Sequence, residues 1–148
     1  MTDIIVLIAC TLCGFAVGKY VEKRVKRKGE FYNDLTRYVM LLKVNVEGRK
    51  VELADFNREF TSQCSSVFAD FIDGGKIACS LSGVQKDTVT KFFGNLSCSS
   101  SEELSKHIEY YNTVLAADSK QVTDEVAKAS VYVKLGILFG LMVGIVLM

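Results

Sequence analysis

The stretch IIVLIACTLCGFAVGKYV, from Ile4 to Val21, is the most informative part of the sequence, because Lys19 is its only charged residue. A second stretch of the same kind, VYVKLGILFGLMVGIVLM, runs from Val131 to Met148, and only Lys134 is charged. Each stretch has 18 residues. A helix of that length covers about 27 Å, close to the ~30 Å hydrocarbon core of a bilayer. A chain of 148 residues cannot bury two such helices on all sides, so the pattern predicts two membrane-spanning helices.

The basic residues beside these two segments predict the orientation of the chain. Six of them lie at or directly after the end of the first segment: Lys19, Lys23, Arg24, Lys26, Arg27 and Lys28. Lys128 and Lys134 lie at the start of the second segment, and no charged side chain follows them. Because Lys and Arg beside a span favour the cytoplasmic side, we expect both termini outside and residues ~19–134 in the cytoplasm. We expect the six bases to contact anionic lipid head groups, which is favoured over nucleic-acid binding.

The first segment is expected to be an uncleaved anchor rather than a secretory signal. A signal places basic residues before its apolar region, whereas here Asp3 precedes the region and the bases follow it. The predicted organisation is a span at residues 1–21, a cytoplasmic helical domain at 22–130 and a second span at 131–148.

Apolar residues between the spans recur at helical spacing. One stripe continues the first span outward and ends near Gly48: Phe31, Leu35, Tyr38, Val39, Leu42 and Val46. Four shorter patterns follow, starting at Leu53, Cys64, Ile77 and Val89. The second of them ends at Gly74-Gly75 and the third near Gly83, while Asp87 is the expected N-cap of the fourth. Ser100 and Glu103 have capping-box spacing and begin a last helix that runs into the second span.

These patterns predict an all-α fold. Two long helices, continuous with the two transmembrane spans, are expected to form an antiparallel bundle bridged by short helices. The chain has no proline, and no segment shows sustained alternation of apolar and polar residues. Residues 29–133 hold fifteen acids and eleven bases, so the domain between the spans is acidic, which usually indicates a solvated surface.

Glycines recur every four residues in both apolar segments: Gly14 and Gly18 in the first, and Gly136, Gly140 and Gly144 in the second. In lipid, helices associate through close van der Waals approach, and small residues at this spacing permit it. In an antiparallel hairpin we expect Gly18 near Gly136 and Gly14 near Gly140. The pattern alone leaves open whether the two spans pair within one chain, between chains or with other membrane proteins.

Residue types that could perform chemistry are scattered, and the sequence predicts no catalytic residue, cofactor or metal site. The one histidine, His107, lies on an amphipathic helix pattern, where a structural role is favoured over pairing with Cys64 or Cys98. Cys10 and Cys13 form a C-x-x-C inside the first apolar segment and are expected to be small apolar fillers. The five cysteines, an odd number, suit a reducing compartment.

Four stretches carry a resemblance to a known family. They are GFAVGKYVEKR (Gly14–Arg24), VNVEGRKVELADF (Val44–Phe56), FFGNL (Phe92–Leu96) and the glycine-rich ending VKLGILFGLMVGIVLM (Val133–Met148). In this order and within a two-span hairpin, they resemble stage III sporulation protein AB of endospore-forming bacteria. The chain departs from that family at Lys50–Leu53, where the family usually has a Thr-Pro-Leu-like segment, and it lacks the family's frequent tryptophan.

The resemblance implies a function that composition alone does not. Stage III sporulation protein AB is a mother-cell membrane protein in a complex with the ATPase stage III sporulation protein AA and proteins AC to AH. That complex meets stage II sporulation protein Q from the forespore. The family's soluble domain resembles the cytoplasmic domains of the platform protein F of type II secretion systems and type IV pili. The implied role is a non-enzymatic platform subunit, with the alternative of a stand-alone membrane-anchored regulator or sensor, and the chain is a possible homo-oligomer.

Overall fold

A computed structural model describes residues 2–49, 51–96 and 101–147 of the chain. Its helices are α1 (Thr2–Val44), α2 (Leu53–Thr61), α3 (Ser66–Gly74), α4 (Gly83–Leu96), α5 (Ser101–Ala127) and α6 (Ala129–Val146). A π-helical segment, Asn45–Arg49, follows α1 directly. No strand occurs in the described ranges, which confirms the predicted all-α class with two long helices.

The chain divides into two compact units. Unit 1 combines Met1–Lys26 with Thr123–Met148, and unit 2 is Arg27–Val122. Unit 1 therefore extends beyond the segments predicted as spans, 1–21 and 131–148. The buried residues Glu22 and Ala129 lie in these extensions, so packing in unit 1 continues past the apolar sequence.

Unit 2 is organised around aromatic rings. The buried stripe of α1 is the predicted one, with Phe31, Leu35 and Tyr38 fully buried. Phe68 of α3 lies at the centre, with its ring centroid 5.4 Å from that of Phe31 and 5.7 Å from that of Tyr38. Buried residues of the other helices complete the core: Phe60, Val67, Phe71, Val89, Phe92, Leu96, Ile108, Leu115 and Val122.

The link between α3 and α4 differs from the prediction. The pattern at Ile77 predicted a short helix, but residues 75–82 are not helical. Gly75 adopts a left-handed conformation, with φ of 65°, and ends α3 at the predicted glycine pair. Helix α4 then begins at Gly83, so Asp87 lies inside the helix and the predicted N-cap is wrong.

The start of α4 is stabilised by a capping box that the sequence analysis missed. The backbone N–H of Ser82 donates to Gln85 Oε1 at 3.2 Å, and the N–H of Gln85 donates to Ser82 Oγ at 3.3 Å. A Ser followed three residues later by Gln is the signal for this motif. The box predicted at Ser100 lies outside the described residues.

The first long helix ends close to the predicted position, whereas the last one is interrupted. Helix α1 gives way to the π-helical segment at Asn45, close to the predicted end near Gly48. The buried Asn45 amide donates to Val51 O at 3.0 Å, and Asn45 Oδ1 accepts from Val51 N at 3.1 Å, which ties the chain back after the segment. The last helix is interrupted at Lys128, between α5 and α6, where Val131 N donates to Lys128 O at 3.0 Å.

Candidate interaction surfaces and chemistry-bearing residues

The glycines of unit 1 lie where α1 and α6 touch backbone to backbone. A Cβ atom placed on Gly14 would overlap the carbonyl oxygen of Gly136, and one placed on Gly136 would overlap that of Gly14. A Cβ on Gly140 would lie 2.5 Å from the carbonyl oxygen of Cys10. Because backbone atoms cannot rotate aside as side chains do, these three positions admit only glycine at the observed helix separation.

The remaining two glycines lie at the ends of the same contact. A Cβ on Gly18 would lie 2.8 Å from Val133 Cα. A Cβ on Gly144 would lie 2.9 Å from Leu7 Cδ1, the mobile end of a side chain, so this position is less strict. Gly18 is thus a fourth position that needs glycine.

The register of the contact differs by a fraction of a turn from the expected pairing. The Cβ placed on Gly14 meets both Gly136 and Gly140, and the one placed on Gly136 meets both Gly14 and Gly18. Gly14 and Gly136 therefore each fit between two glycines of the other helix, whereas Gly140 packs against Cys10 and Thr11. The prediction from the sequence paired glycines of equal depth one to one. Such a pairing does not describe the observed interdigitation. All of these contacts are between helices of a single chain.

The outward faces of unit 1 are apolar and exposed. Leu12 is 61% exposed and Phe139 is 70% exposed, and most large apolar side chains of both segments share this exposure. Within the described residues, only 6% of the first apolar window and 17% of the second are buried. A core helix of a soluble protein shows the opposite pattern, because water drives such side chains inside. The two helices are long and apolar enough to cross a membrane.

The predicted basic cluster has an acid at its centre. Glu22 is buried, and its two carboxylate oxygens lie 2.9 Å from Lys19 Nζ and 2.8 Å from Lys26 Nζ. Lys23 and Arg24 are exposed and have no ion-pair partner among the described residues. The bases that were predicted as one group in unit 1 therefore divide into a paired set and an unpaired set. Arg27 and Lys28 belong to unit 2.

Unit 2 has a partly open apolar cavity of about 210 Å³. It lies between the end of α1 and α2, and its lining residues are Leu41, Val44, Asn45, Val51, Phe56, Glu59, Phe60 and Gln63. Asn45 is already engaged with Val51, which leaves Glu59 and Gln63 as the polar side chains of the lining. Ligand pockets commonly measure about 300–1,000 Å³, so this cavity is small for a ligand site.

His107 lies in an aromatic stack. Its ring is nearly parallel to that of Phe92, with centroids 6.1 Å apart, and its centroid is 4.6 Å from that of Tyr111. In the part of the chain that the structure describes, His107 Nε2 is buried without a hydrogen-bond partner. These ring contacts give the histidine a packing role in unit 2.

The thiols of unit 2 are held in their protonated form. Burial raises the pKa of Cys79 to about 11. Burial, followed by the nearby charge of Asp34, also raises the pKa of Cys64. Since the thiolate is the reactive species, both thiols are poor nucleophiles at neutral pH. Cys98 lies outside the described residues.

One further motif also lacks the geometry for chemistry. The stretch Gly14 to Lys19, which imitates a phosphate-binding loop, is helical throughout and directs its glycines at α6. Across residues 2–49, 51–96 and 101–147, no group of three His, Cys, Asp or Glu side chains is placed to hold a metal ion.

Comparison with known proteins gives no assignment. No protein-family model, curated protein or solved structure matches the chain. The resemblance to stage III sporulation protein AB therefore stays a prediction, and the functional argument depends on the geometry of the two units.

Proposed function

We propose that the chain is a non-enzymatic membrane platform subunit of a secretion-like sporulation channel between mother cell and forespore, similar to stage III sporulation protein AB. In this role the two apolar helices anchor the protein in the mother-cell membrane around the forespore. The helical unit between them contacts cytoplasmic and membrane partners of the complex.

The observation that carries this proposal is the structure of unit 1. Helices α1 and α6 touch through Gly14, Gly136 and Gly140, and their other faces carry exposed apolar side chains. Such a pair has a predominantly apolar surface suited to lipid, and the chain between its two helices forms a separate compact unit. A unit anchored at both ends suits a scaffold that holds other proteins at a membrane.

The basic residues support a cytoplasmic position for unit 2. The excess of Lys and Arg lies on the side of both apolar segments that faces the middle of the sequence. By the positive-inside rule, both termini then lie outside and residues 27–122 lie in the cytoplasm. The cytoplasm of the mother cell is where an ATPase such as stage III sporulation protein AA acts.

Partners follow from the same arrangement. Unit 1 contacts membrane lipid and the spans of other complex subunits or of further copies of the chain. Unit 2, which holds thirteen acids and twelve bases, contacts the ATPase, and no nucleic acid is involved. The alternative, a sensor that binds a small ligand, is less well supported, since the cavity beside α2 is below the usual size of a ligand pocket.

Affinity purification from sporulating cells tests this proposal. A tagged copy of the full chain, extracted in mild detergent, should co-purify with an ATPase and with several span-rich proteins. The same purification from vegetative cells that express the tagged copy is the control, and it should lack these partners. A lone monomer recovered from sporulating cells, particularly one that retains a small ligand, would contradict the platform role.

A further inference from the structure

The six bases predicted to act together at the membrane are not equivalent. Glu22 bonds to Lys19 and Lys26, at 2.9 and 2.8 Å, so these two bases share one acid that offsets one of their two positive charges. Lys23 and Arg24 are exposed, and neither has an ion-pair partner in the described ranges. These two residues are therefore the bases of α1 in unit 1 whose charge no neighbouring acid offsets, and they provide most of its excess positive charge.

An apolar and aromatic surface continues directly from this pair. Tyr20 lies three residues before Lys23 and four before Arg24, spacings that bring side chains to one face of a helix. Val17 lies one turn earlier on the same face, and the two side chains are 67% and 63% exposed for Tyr20 and Val17. One face of α1 thus presents, in order, an apolar side chain, a phenol and two cations.

Helix α6 places related groups at matching depths. A Cβ on Gly18 would lie 2.8 Å from Val133 Cα, which fixes the relative height of the antiparallel helices. Lys23 follows Gly18 by five residues and Lys128 precedes Val133 by five, so the two exposed bases lie at similar height. Tyr132, exposed beside Val133, is near the height of Tyr20. Tyrosines flanked by bases are typical of the interface between lipid and water.

From these positions and exposures we infer that Tyr20, Lys23 and Arg24 form a binding site for the head group of an anionic phospholipid. The cations face the phosphate, the Tyr20 hydroxyl donates to the glycerol ester or phosphate oxygens, and Val17 contacts the acyl chain. Arg24 suits this role because a guanidinium bonds two phosphate oxygens at once. Asp124 lies one turn before Lys128 and weakens its contribution, so the site is centred on α1. This inference rests on the proposed membrane location.

Native mass spectrometry of the full chain in detergent tests the site. Dioleoylphosphatidylglycerol and dioleoylphosphatidylcholine are titrated separately, and the bound fractions are compared. Wild-type protein should prefer the anionic lipid. Lys23→Gln with Arg24→Gln should lower this preference about 30-fold, since a base near the surface contributes about fivefold. Lys86→Gln with Lys91→Gln makes the same charge change on exposed positions of α4 and should leave the preference unchanged.

A second variant is expected to have the opposite effect. Glu22→Gln removes the acid that holds Lys19 and Lys26, so the preference for the anionic lipid should rise. Soluble glycerol phosphate at the same concentration should not displace the lipid, since it lacks the acyl contact with Val17. Equal binding of both lipids, an equal loss in the α4 control, or displacement by glycerol phosphate would overturn the inference. Recovery of the chain in the aqueous phase without detergent would instead contradict the membrane location.

Discussion

Replacing Gly14 with alanine will separate α1 from α6, although the change adds a single methyl group. That methyl would overlap the carbonyl oxygen of Gly136 and approach Gly140 Cα to 3.1 Å, and neither backbone atom can move without its helix. The same substitution in an open helix position usually stabilises, because alanine is the better helix former. The loss of packing expected for Gly14→Ala therefore comes entirely from the contact between α1 and α6.

A disulfide reports this contact directly. A Cβ on Gly144 lies 3.6 Å from Cys10 Cβ, within the range for a disulfide, so Gly144→Cys should form an intrachain bond with Cys10 under mild oxidant. Adding Gly14→Ala should lower the yield about tenfold if it costs about 1.4 kcal/mol of packing. The yield of the disulfide is measured as the loss of free thiol in the detergent-solubilised monomer.

Matched controls separate helix contact from general damage. Ala16→Ile enlarges an exposed side chain of α1 and should leave the cross-link unchanged. Gly94→Ala adds a methyl group in α4 with no atom within 4 Å and should also have no effect. A covalent dimer in place of the intrachain bond, or full yield with Gly14→Ala, would contradict the packing within one chain.

Phe68→Ala will cause the largest loss of stability in unit 2. Phe68 is fully buried, and its ring contacts the rings of Phe31, Tyr38 and Phe60 at centroid distances of 5.4, 5.7 and 5.6 Å. Truncating a buried phenylalanine costs about 3–5 kcal/mol, a large part of the ~5–15 kcal/mol that stabilises a domain. The midpoint of thermal unfolding should fall by roughly 12–40 °C, since 1 kcal/mol shifts a domain of this size by ~4–8 °C.

Circular dichroism of the full chain in detergent measures this change. Val84→Ala is the control, because Val84 is 78% exposed and its truncation should change the midpoint little. Should Phe68→Ala shift the midpoint no more than Val84→Ala does, the aromatic cluster would not be the centre of the core.

The long elements were predictable from sequence because periodicity reports burial directly. The stripe from Phe31 to Leu42 is buried as predicted, and Gly74-Gly75 ends α3 because Gly75 takes a left-handed conformation. The short helix predicted at Ile77 does not form. Three apolar residues at helical spacing do not outweigh the capping box of Ser82 and Gln85, which begins the helix at Gly83 instead.

Pairwise contacts were less predictable than the helices themselves. The glycine spacing indicated a close contact, but the interdigitated register depends on how two surfaces fit, which a single sequence does not encode locally. The pairing of Glu22 with Lys19 and Lys26 follows from their spacings of three and four residues, so the signal was present in the sequence. These ion pairs were not predicted, because only the net charge of the cluster was considered.

A single introduced cysteine tests whether unit 2 lies on the cytoplasmic side of the membrane. Asp70→Cys, on an exposed position of α3, is made in a chain whose five native cysteines are replaced by alanine. We expect a membrane-impermeant maleimide to leave it unlabelled in intact bacterial protoplasts and to label it in inverted vesicles. Labelling in intact protoplasts, or absence of the protein from the vesicles, would contradict a membrane protein that holds its helical unit in the cytoplasm.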